Sequence, residues 1–357
     1  MASRFDEPDY TPPSAMPEYL IRYATLRQLQ IFEASVRLGS FSRAAEELFV
    51  TQPTVSMQIK KLSDALGVPL FEQIGRNVRP TEIGVELYAS CRRIFENLAN
   101  LEMKVSDHKG MRRGRLRLGV VTTAKYIVPE MLGEFCRQYP GIDVAMKVSN
   151  RHRILERLGA YEDDLYVMGQ APEDVMEVEA RPFAPNPLAL FAHRDHPLVG
   201  EKNIPIERIA EEPVILREPG SGIRDTALRA FAQAGIQPPV RMELGSNEAI
   251  KHAVAGGLGL AVLSAHTLSL DGGDGPVALL DVEGFPIMRQ WYLVYPKNKE
   301  LSLVADAFLE FSADVDPQVR EKMKQRWPLM ADALSRSNVT EAHRGKARRK
   351  AGAGKDG

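Results

Sequence analysis

One stretch constrains the fold more than any other: "AAEELFVTQPTVSMQIKKL", residues 44–62. A helix-forming run stops at Phe49 and restarts at once, with threonine, glutamine and serine at the head of the new helix. Pro53 suits that first turn, where its missing N–H had no partner to lose. Beyond it, Val55, Ile59, Leu62 and Leu66 fall within roughly one 60° sector at about 100° per residue. The opposite side carries Pro53, Met57, Lys60, Lys61 and Asp64, flanked by Thr54 and Ser56. Short hydrogen-bonding side chains, an apolar Met57 and free backbone N–H groups suit a helix whose leading end enters the DNA major groove. Thr51, Gln52, Thr54 and Ser56 can bond base edges or phosphates, and Met57 can touch a thymine methyl.

The flanks separate this reading from an ordinary helical hairpin with polar caps. Upstream, Leu26, Leu29, Phe32 and Val36 repeat at helical spacing, and Gly39 ends that helix. Ser40 or Ser42 can cap a second helix with Ala44, Ala45 and Leu48 facing inward. Downstream, "LGVPLFEQIGRNVRPTEIG" predicts buried Leu70, Phe71 and Ile74. A short hairpin then exposes Arg76 and Arg79 before Thr81 caps another helix. A basic turn there is a wing, able to reach phosphates or the narrow minor groove. Charge agrees: residues 21–115 carry 15 Lys and Arg against 10 Asp and Glu, whereas residues 116–340 carry 24 against 31. A basic front on an acidic body, within a chain of net charge −1, points to a polyanion met by the front end only.

Residues 25–84 resemble the DNA-binding domain of LysR-type transcriptional regulators, from "TLRQLQIFEASVRLGSFSRAAEEL" through "FVTQPTVSMQIKKL" to "GRNVRPTEIG". Ser63 departs from the pattern, which usually carries an acidic residue there. The resulting candidate DNA contacts are Arg27, Ser40, Ser42, Thr51, Gln52, Pro53, Thr54, Ser56, Met57, Lys60, Arg76, Arg79 and Thr81.

Beyond Thr81, the apolar series Ile83, Leu87, Cys91, Ile94, Leu98, Leu101 and Val105 is close to a coiled-coil seam. About 25 residues at ~1.5 Å each make a rod near 37 Å, longer than a local core covers. A partner helix is the natural cover, so a homodimer is expected. The resemblance, which makes this the linker helix, implies the same and adds a tetramer. "KGMRRGR" ends the helix as a basic hinge.

From Leu116 the pattern becomes alternating strands and helices, which argues for a parallel α/β sheet. "RLRLGVV", "IDVAMKVSN" and "DDLYVMG" read as strands around the helices "AKYIVPEMLGEFCRQYP" and "RHRILERLGA". "NPLALFAHRDHPL" opens a second such unit, and "RQWYLVYPK" with a helix over Leu301–Phe311 returns to the first. Two units joined by crossing strands resemble a periplasmic-binding-protein-like effector domain with its cleft between the lobes.

Three strand-to-helix junctions, "VVTTAKY", "REPGSGIR" and "LGSNEAI", offer helix N-termini to an anion. Helix capping explains each junction singly; together they favour a small anionic metabolite. The candidate effector contacts are Thr122, Thr123, Lys125, Asn150, Arg151, Gly220, Ser221, Gly222, Arg224, Ser246 and Asn247.

Enzymatic signals are weak, and the chain is not expected to be an enzyme. "AGGLGLAV" stands in the wrong order for a dinucleotide loop, and "GSG" at 220–222 lacks the rest of a P-loop or a nucleophile elbow. "HRDHP" reads as a surface turn and "DGGDG" as a loop too short for calcium. The two cysteines, Cys91 and Cys136, without a CxxC, speak against a disulfide framework or a zinc site, so no metal or cofactor is expected. The acidic, proline-bearing start has no apolar core, and no apolar run is long enough to span a bilayer. A cytoplasmic protein with no membrane partner is expected.

Within the LysR type, the body is similar to the regulators of carbon-dioxide-fixation (RuBisCO, Calvin-cycle) operons. The matching stretches include "TTAKYIVPEMLGEFCRQYPGIDV", "REPGSGIR", "RMELGSNEAIKHAVAGGLGLAVLS" and "DVEGFPIMRQWYLVYPKNKELSLVADAFLEF". The resemblance implies an activator of carbon-fixation genes, acting on double-stranded DNA with RNA polymerase. Its effector would be a sugar phosphate, phosphoglycolate or NADPH. Other readings stay open: a LysR-type regulator of nitrogen, sulfur or one-carbon metabolism, or an enzyme fused to a DNA-binding domain.

The expected fold class is α+α/β, in five segments. These are an N-terminal extension (1–24), a winged helix-turn-helix (25–84), a linker helix (85–114), a two-lobed effector domain (115–312) and a C-terminal extension (313–357). Lobe I takes 115–186 and 289–312, and lobe II takes 187–288. The C-terminal extension holds one possible helix, "PQVREKMKQRWPLMADALSR", and then a basic tail read as disordered.

Overall fold

The computed structural model describes residues 24–74, 77–108, 114–172, 176–268 and 275–337. Arg76, the start of "KGMRRGR", most of "DGGDG" and the basic tail lie outside the described residues. The chain divides between Ala99 and Asn100 into two compact units, taken in turn.

The first unit holds α1 (Leu26–Leu38), α2 (Phe41–Glu47) and α3 (Gln52–Leu66). A hairpin of β1 (Phe71–Ile74) and β2 (Asn77–Pro80) comes next, then α4 (Glu82–His108). Thr25 and Gln28 form a reciprocal capping box at the start of α1, and Gly39 ends it in the left-handed region. Ser40 caps α2, so of the two serines proposed for that role it is the one that serves. Ala45, Val55 and Ile59 pack with Ile31, while Leu26 is exposed and Leu48 and Leu66 are only half-buried. Thr81 caps α4 by accepting from Gly84 N at 3.1 Å and ties it to β1's approach by donating to Pro69 O at 2.9 Å. A Cβ on Gly84 would sit 2.3 Å from Leu70 O, so that crossing requires glycine. The helix expected beyond Thr81 runs from Glu82, so it starts inside the segment assigned to the winged domain rather than at the 84/85 boundary.

In the second unit, β3 (Gly114–Val121) leads through a 3-10 turn (Thr122–Tyr126) to α5 (Val128–Gln138). β4 (Ile142–Ser149), α6 (Arg151–Gly159), β5 (Leu165–Met168) and β6 (Val178–Pro185) complete the outward path of the first lobe. The second lobe has β7 (Leu188–His193), β8 (Val214–Arg217), α7 (Gly222–Gln233), β9 (Val240–Leu244), α8 (Asn247–Ala255), β10 (Leu260–Ser264) and β11 (Val277–Leu279). The chain then returns by β12 (Gln290–Pro296) and α9 (Leu303–Ser312). The strand orders are β4-β3-β5-β12-β6 and β11-β7-β10-β8-β9.

The sheets are mixed, where a parallel arrangement was expected. β12 runs antiparallel to β5 and β6, and β7 antiparallel to β10 and β11. The strands that carry the chain between lobes do so without a crossover helix, and a parallel pairing needs one. The two crossings bond to each other: Asn186 N donates to Arg289 O at 2.7 Å and Leu188 N to Ile287 O at 2.9 Å. β6 has no counterpart among the expected strands; it contains Pro182 and Pro185 and lies at a sheet edge, where proline is tolerated.

Past α9, the one helix expected in the C-terminal extension is two: α10 (Val315–Arg326) and α11 (Ala331–Arg336). Pro328 cannot continue α10 and forces the break after Trp327.

Candidate nucleic-acid interface and effector cleft

Helix α3 is held by Val55, Ile59 and Leu62, which are buried, so its other face is fixed outward. Gln52, Pro53, Met57 and Lys60 are exposed there, and Thr54 and Ser56 are half-buried beside them. Thr51 caps the helix by accepting from Thr54 N at 3.4 Å; its hydroxyl also lies 2.8 Å from that of Thr54. Gln52 Nε2 donates to Ser56 Oγ at 3.0 Å. The leading turn is therefore an ordered polar surface with its donors and acceptors outward. Arg27 donates to Leu48 O at 3.0 Å, tying α1 to the end of α2. Ser42 is exposed in the first turn of α2, and Arg79 is exposed on β2 of the wing.

In the second unit, a cavity of about 110 Å³ lies between the lobes at the carboxyl ends of β3, β4, β5 and β8. Of the candidate contacts it collects Thr122, Thr123, Asn150, Arg151, Gly220, Ser221 and Gly222. Gly220 turns the chain here at φ 82, a left-handed conformation that suits glycine. Ser221, only 7% exposed, stands at the N-cap of α7 without spending its side chain on a cap bond. The first-turn N–H groups of α7 thus meet the cavity without a side-chain oxygen over them.

The other four candidates do not line the cavity. Lys125 lies 3.9 Å from Glu248 and 5.0 Å above the Tyr126 ring. Arg224 is turned toward β9, pairing with Glu243 at 2.6 Å and donating to Arg217 O at 2.8 Å. Ser246 uses its hydroxyl to cap α8. Asn247, 2% exposed, donates to Thr123 Oγ1 at 3.0 Å and accepts from Arg217, which makes it a bond between the lobes. Tyr126 OH adds a second such bond, donating to Glu248 Oε1 at 2.7 Å and holding that carboxyl below its ordinary range.

Sequence reasoning missed Gln170, Asn186, Arg217, Arg289 and Trp291, which line the same cavity. Arg217 pairs with Glu218 at 2.7 and 2.8 Å, so its charge is compensated. Arg289 is different. It donates to Gly169 O at 2.7 Å, Gly222 O at 2.9 Å and Thr226 Oγ1 at 3.0 Å, spanning both walls with no carboxylate among these partners. Burial, with repulsion from Arg229 and Arg151, pulls its pKa down. Arg151 donates to Gln170 O at 2.9 Å, and its pKa too is lowered by burial, against the attraction of Asp225. Two guanidinium groups facing mainly carbonyls leave an excess of positive charge, which an anion would relieve.

Among the described residues, no cluster of His, Cys, Asp and Glu could hold a metal, and no helix is long and apolar enough to cross a membrane. His193 accepts from Asp195 N at 3.1 Å and His196 meets Glu212 at 3.3 Å, the surface turn expected of "HRDHP".

Residues 26–85 match the bacterial regulatory helix-turn-helix protein, lysR family, and residues 109–316 match the LysR substrate binding domain. The HTH-type transcriptional activator CmpR of Synechocystis sp. is 49% identical over 291 residues, 82% of this chain and 95% of that protein. A RuBisCO operon transcriptional regulator of Acidithiobacillus ferrooxidans is 47% identical, over 83% of this chain and 96% of its own. The regulatory domain of Synechocystis CcmR, solved in complex with 2-PG, is 47% identical with a TM-score of 0.55; the match covers 57% of this chain and 97% of that one. A full-length OxyR variant from Pseudomonas aeruginosa is 25% identical with a TM-score of 0.67, over 82% of this chain and 95% of its own.

Proposed function

Because the chain belongs to the LysR family of transcriptional regulators, we propose that it activates carbon-fixation genes in response to a small phosphorylated carboxylate. The observation that carries this reading is the pair Arg151 and Arg289, whose hydrogen bonds go chiefly to carbonyl groups in the cavity between two lobes. The effector is proposed to lie with one anionic end on Arg289, Arg151 and the N-terminus of α7, and to reach Ser221 and Thr122. A cavity of about 110 Å³ is far below the roughly 300–1,000 Å³ of pockets that hold drug-sized ligands. That size suits 2-phosphoglycolate and disfavours a dinucleotide such as NADPH. The 2-PG complex of the CcmR regulatory domain supports the same class of ligand.

The reading makes α3 the base-reading element, through Gln52, Thr54, Ser56 and Met57, with Arg79 on the DNA backbone. Ile94, Leu98 and Leu101 are between 38% and 57% exposed along α4, an apolar stripe that a second copy of α4 would cover. We assign it to a homodimer, with further association through the effector units to a tetramer, in the cytoplasm and in contact with RNA polymerase at the promoter. Titration calorimetry with 2-phosphoglycolate, ribulose bisphosphate and NADPH tests the effector. We expect heat with the first and none with NADPH, and failure of every anion at millimolar concentration would end the cleft reading. Genomic footprinting tests the targets independently, since protected sites away from carbon-fixation operons would refute that assignment.

A further inference from the structure

The chain continues past residue 316, where the match to the LysR substrate binding domain ends, and the two helices from Val315 onward are packed against the body. Met323, Met330 and Leu334, at 4%, 0% and 0% exposed, complete an apolar cluster of the second lobe that includes Phe191, Ile250 and Leu263. Val315 packs instead against the first lobe's core, and Val319 touches both clusters. Lys322 adds an ion pair to Glu130 of α5, on the first lobe. The α10–α11 hairpin is closed by Arg320, which grips Asp316 with two nitrogens and donates to Leu334 O at 2.6 Å and Ser337 Oγ at 2.9 Å. The two side chains of that pair are only 11% and 10% exposed, so little water competes for it.

We propose that residues 315–336 are a strap that fastens the first lobe to the second and sets how readily the cleft opens. The path to the cleft is short. Ile250 and Val254 of α8 share the strap's cluster, and the first turn of the same helix carries Asn247 and Glu248. Those two residues make the bonds to Thr123 and Tyr126 across the cleft. Strap packing and cross-cleft bonds are satisfied in the same arrangement of the lobes, so loosening one raises the population in which the other is broken. A ligand that needs both walls then binds less tightly, because opening competes with it.

The test uses the full chain with Arg320→Ala, Arg320→Lys as partial rescue, and Val319→Ala as a milder change at the joint. In ligand-free protein, amide exchange should quicken at 122–126 and 247–250, while β3 and β10 stay protected. With 2-phosphoglycolate as the probe, Arg320→Ala should raise Kd about five- to tenfold, the low end of ordinary coupling between sites. Only this ligand readout rests on the effector reading above. If wild type binds no 2-phosphoglycolate but cleft exchange still quickens in Arg320→Ala, the strap stands and the effector reading falls. If exchange quickens only within 315–337 in both Arg320→Ala and Val319→Ala, the strap is overturned, whatever the ligand does.

Discussion

Arg289→Gln separates a charge that reads the effector from an arginine that only braces the crossing strands. The guanidinium bonds Gly169 O, Gly222 O and Thr226 Oγ1. Each such bond contributes about 0.5–1.5 kcal/mol net. The loss is offset in part because Arg151 and Arg229 no longer repel a third positive charge. The variant should therefore lose about 1–2 kcal/mol of stability, which at the usual 2–4 °C per kcal/mol for a domain of this size lowers Tm by only a few degrees. The effect on an anionic ligand is larger. A hydrogen bond to a charged group contributes about 1.5–3 kcal/mol, which at 1.4 kcal/mol per decade raises Kd roughly 10- to 150-fold. Arg289→Lys keeps the charge without the two-pronged geometry and should fall between. Calorimetric titration of the three proteins with 2-phosphoglycolate, beside a thermal melt of each, reads both quantities. A Kd for Arg289→Gln within about twofold of wild type, with the few-degree loss in Tm, would show that Arg289 is structural and that the anion sits elsewhere.

Thr54→Ala should weaken binding to operator DNA by about 1–3 kcal/mol and to random DNA hardly at all, as competition gel shifts on the two probes will show; equal losses would remove Thr54 from base reading. Leu98→Asp places a charge on the exposed stripe of α4 and should leave monomers in light scattering, whereas a folded dimer would send the partner helix elsewhere. His266 is buried against Pro185 O at 2.8 Å, and burial holds its imidazole below the ordinary range, so the folded protein binds it neutral. The unfolded chain takes up the proton first as pH falls through about 6.5, so this site's contribution is complete above that pH and is lost below it. Melts from about pH 7.5 to about 5.5, bracketing that value, should show a drop in wild type that is smaller in His266→Gln; parallel curves would refute the assignment.

The helical front was legible because its signals are local. Thr25, Ser40, Thr51 and Thr81 all cap helices, and each lies next to the turn it closes in the sequence. The recognition helix likewise follows from Val55, Ile59 and Leu62, three residues on one face within eight positions. The misses here are also local in cause. Leu26 keeps the apolar spacing but precedes the first packed turn, so it faces water at 54% exposure.

The cleft was legible only in part, because spacing along the chain reports helix ends and not what faces them. Thr123 and Asn247 were both expected at the effector; Thr123 lines the cavity, whereas Asn247 does not line it and donates to Thr123 across 124 positions of sequence. Ser246, by contrast, was read as an anion contact, and its hydroxyl accepts instead from the N–H of Ala249, outside the cavity lining. Arg217 opens the junction "REPGSGIR" but was not singled out within it, and Arg289 carried no motif. Arg217 follows a run of three apolar residues as the last member of β8, and Arg289 lies at the return crossing, just ahead of β12. Strand direction alone brings such residues to the cleft, since a sheet's carboxyl ends and the crossings between lobes converge there. The feature that separates the two is whether a strand-end cation has a carboxylate within a few residues. Arg217 has Glu218 beside it and is thereby compensated, whereas the segment "GFPIMRQWYLV" offers Arg289 no acid at all. An arginine at the entry to a crossing strand with no acid beside it in the sequence is the signal that could have been found, and it is also the residue on which the effector reading now depends.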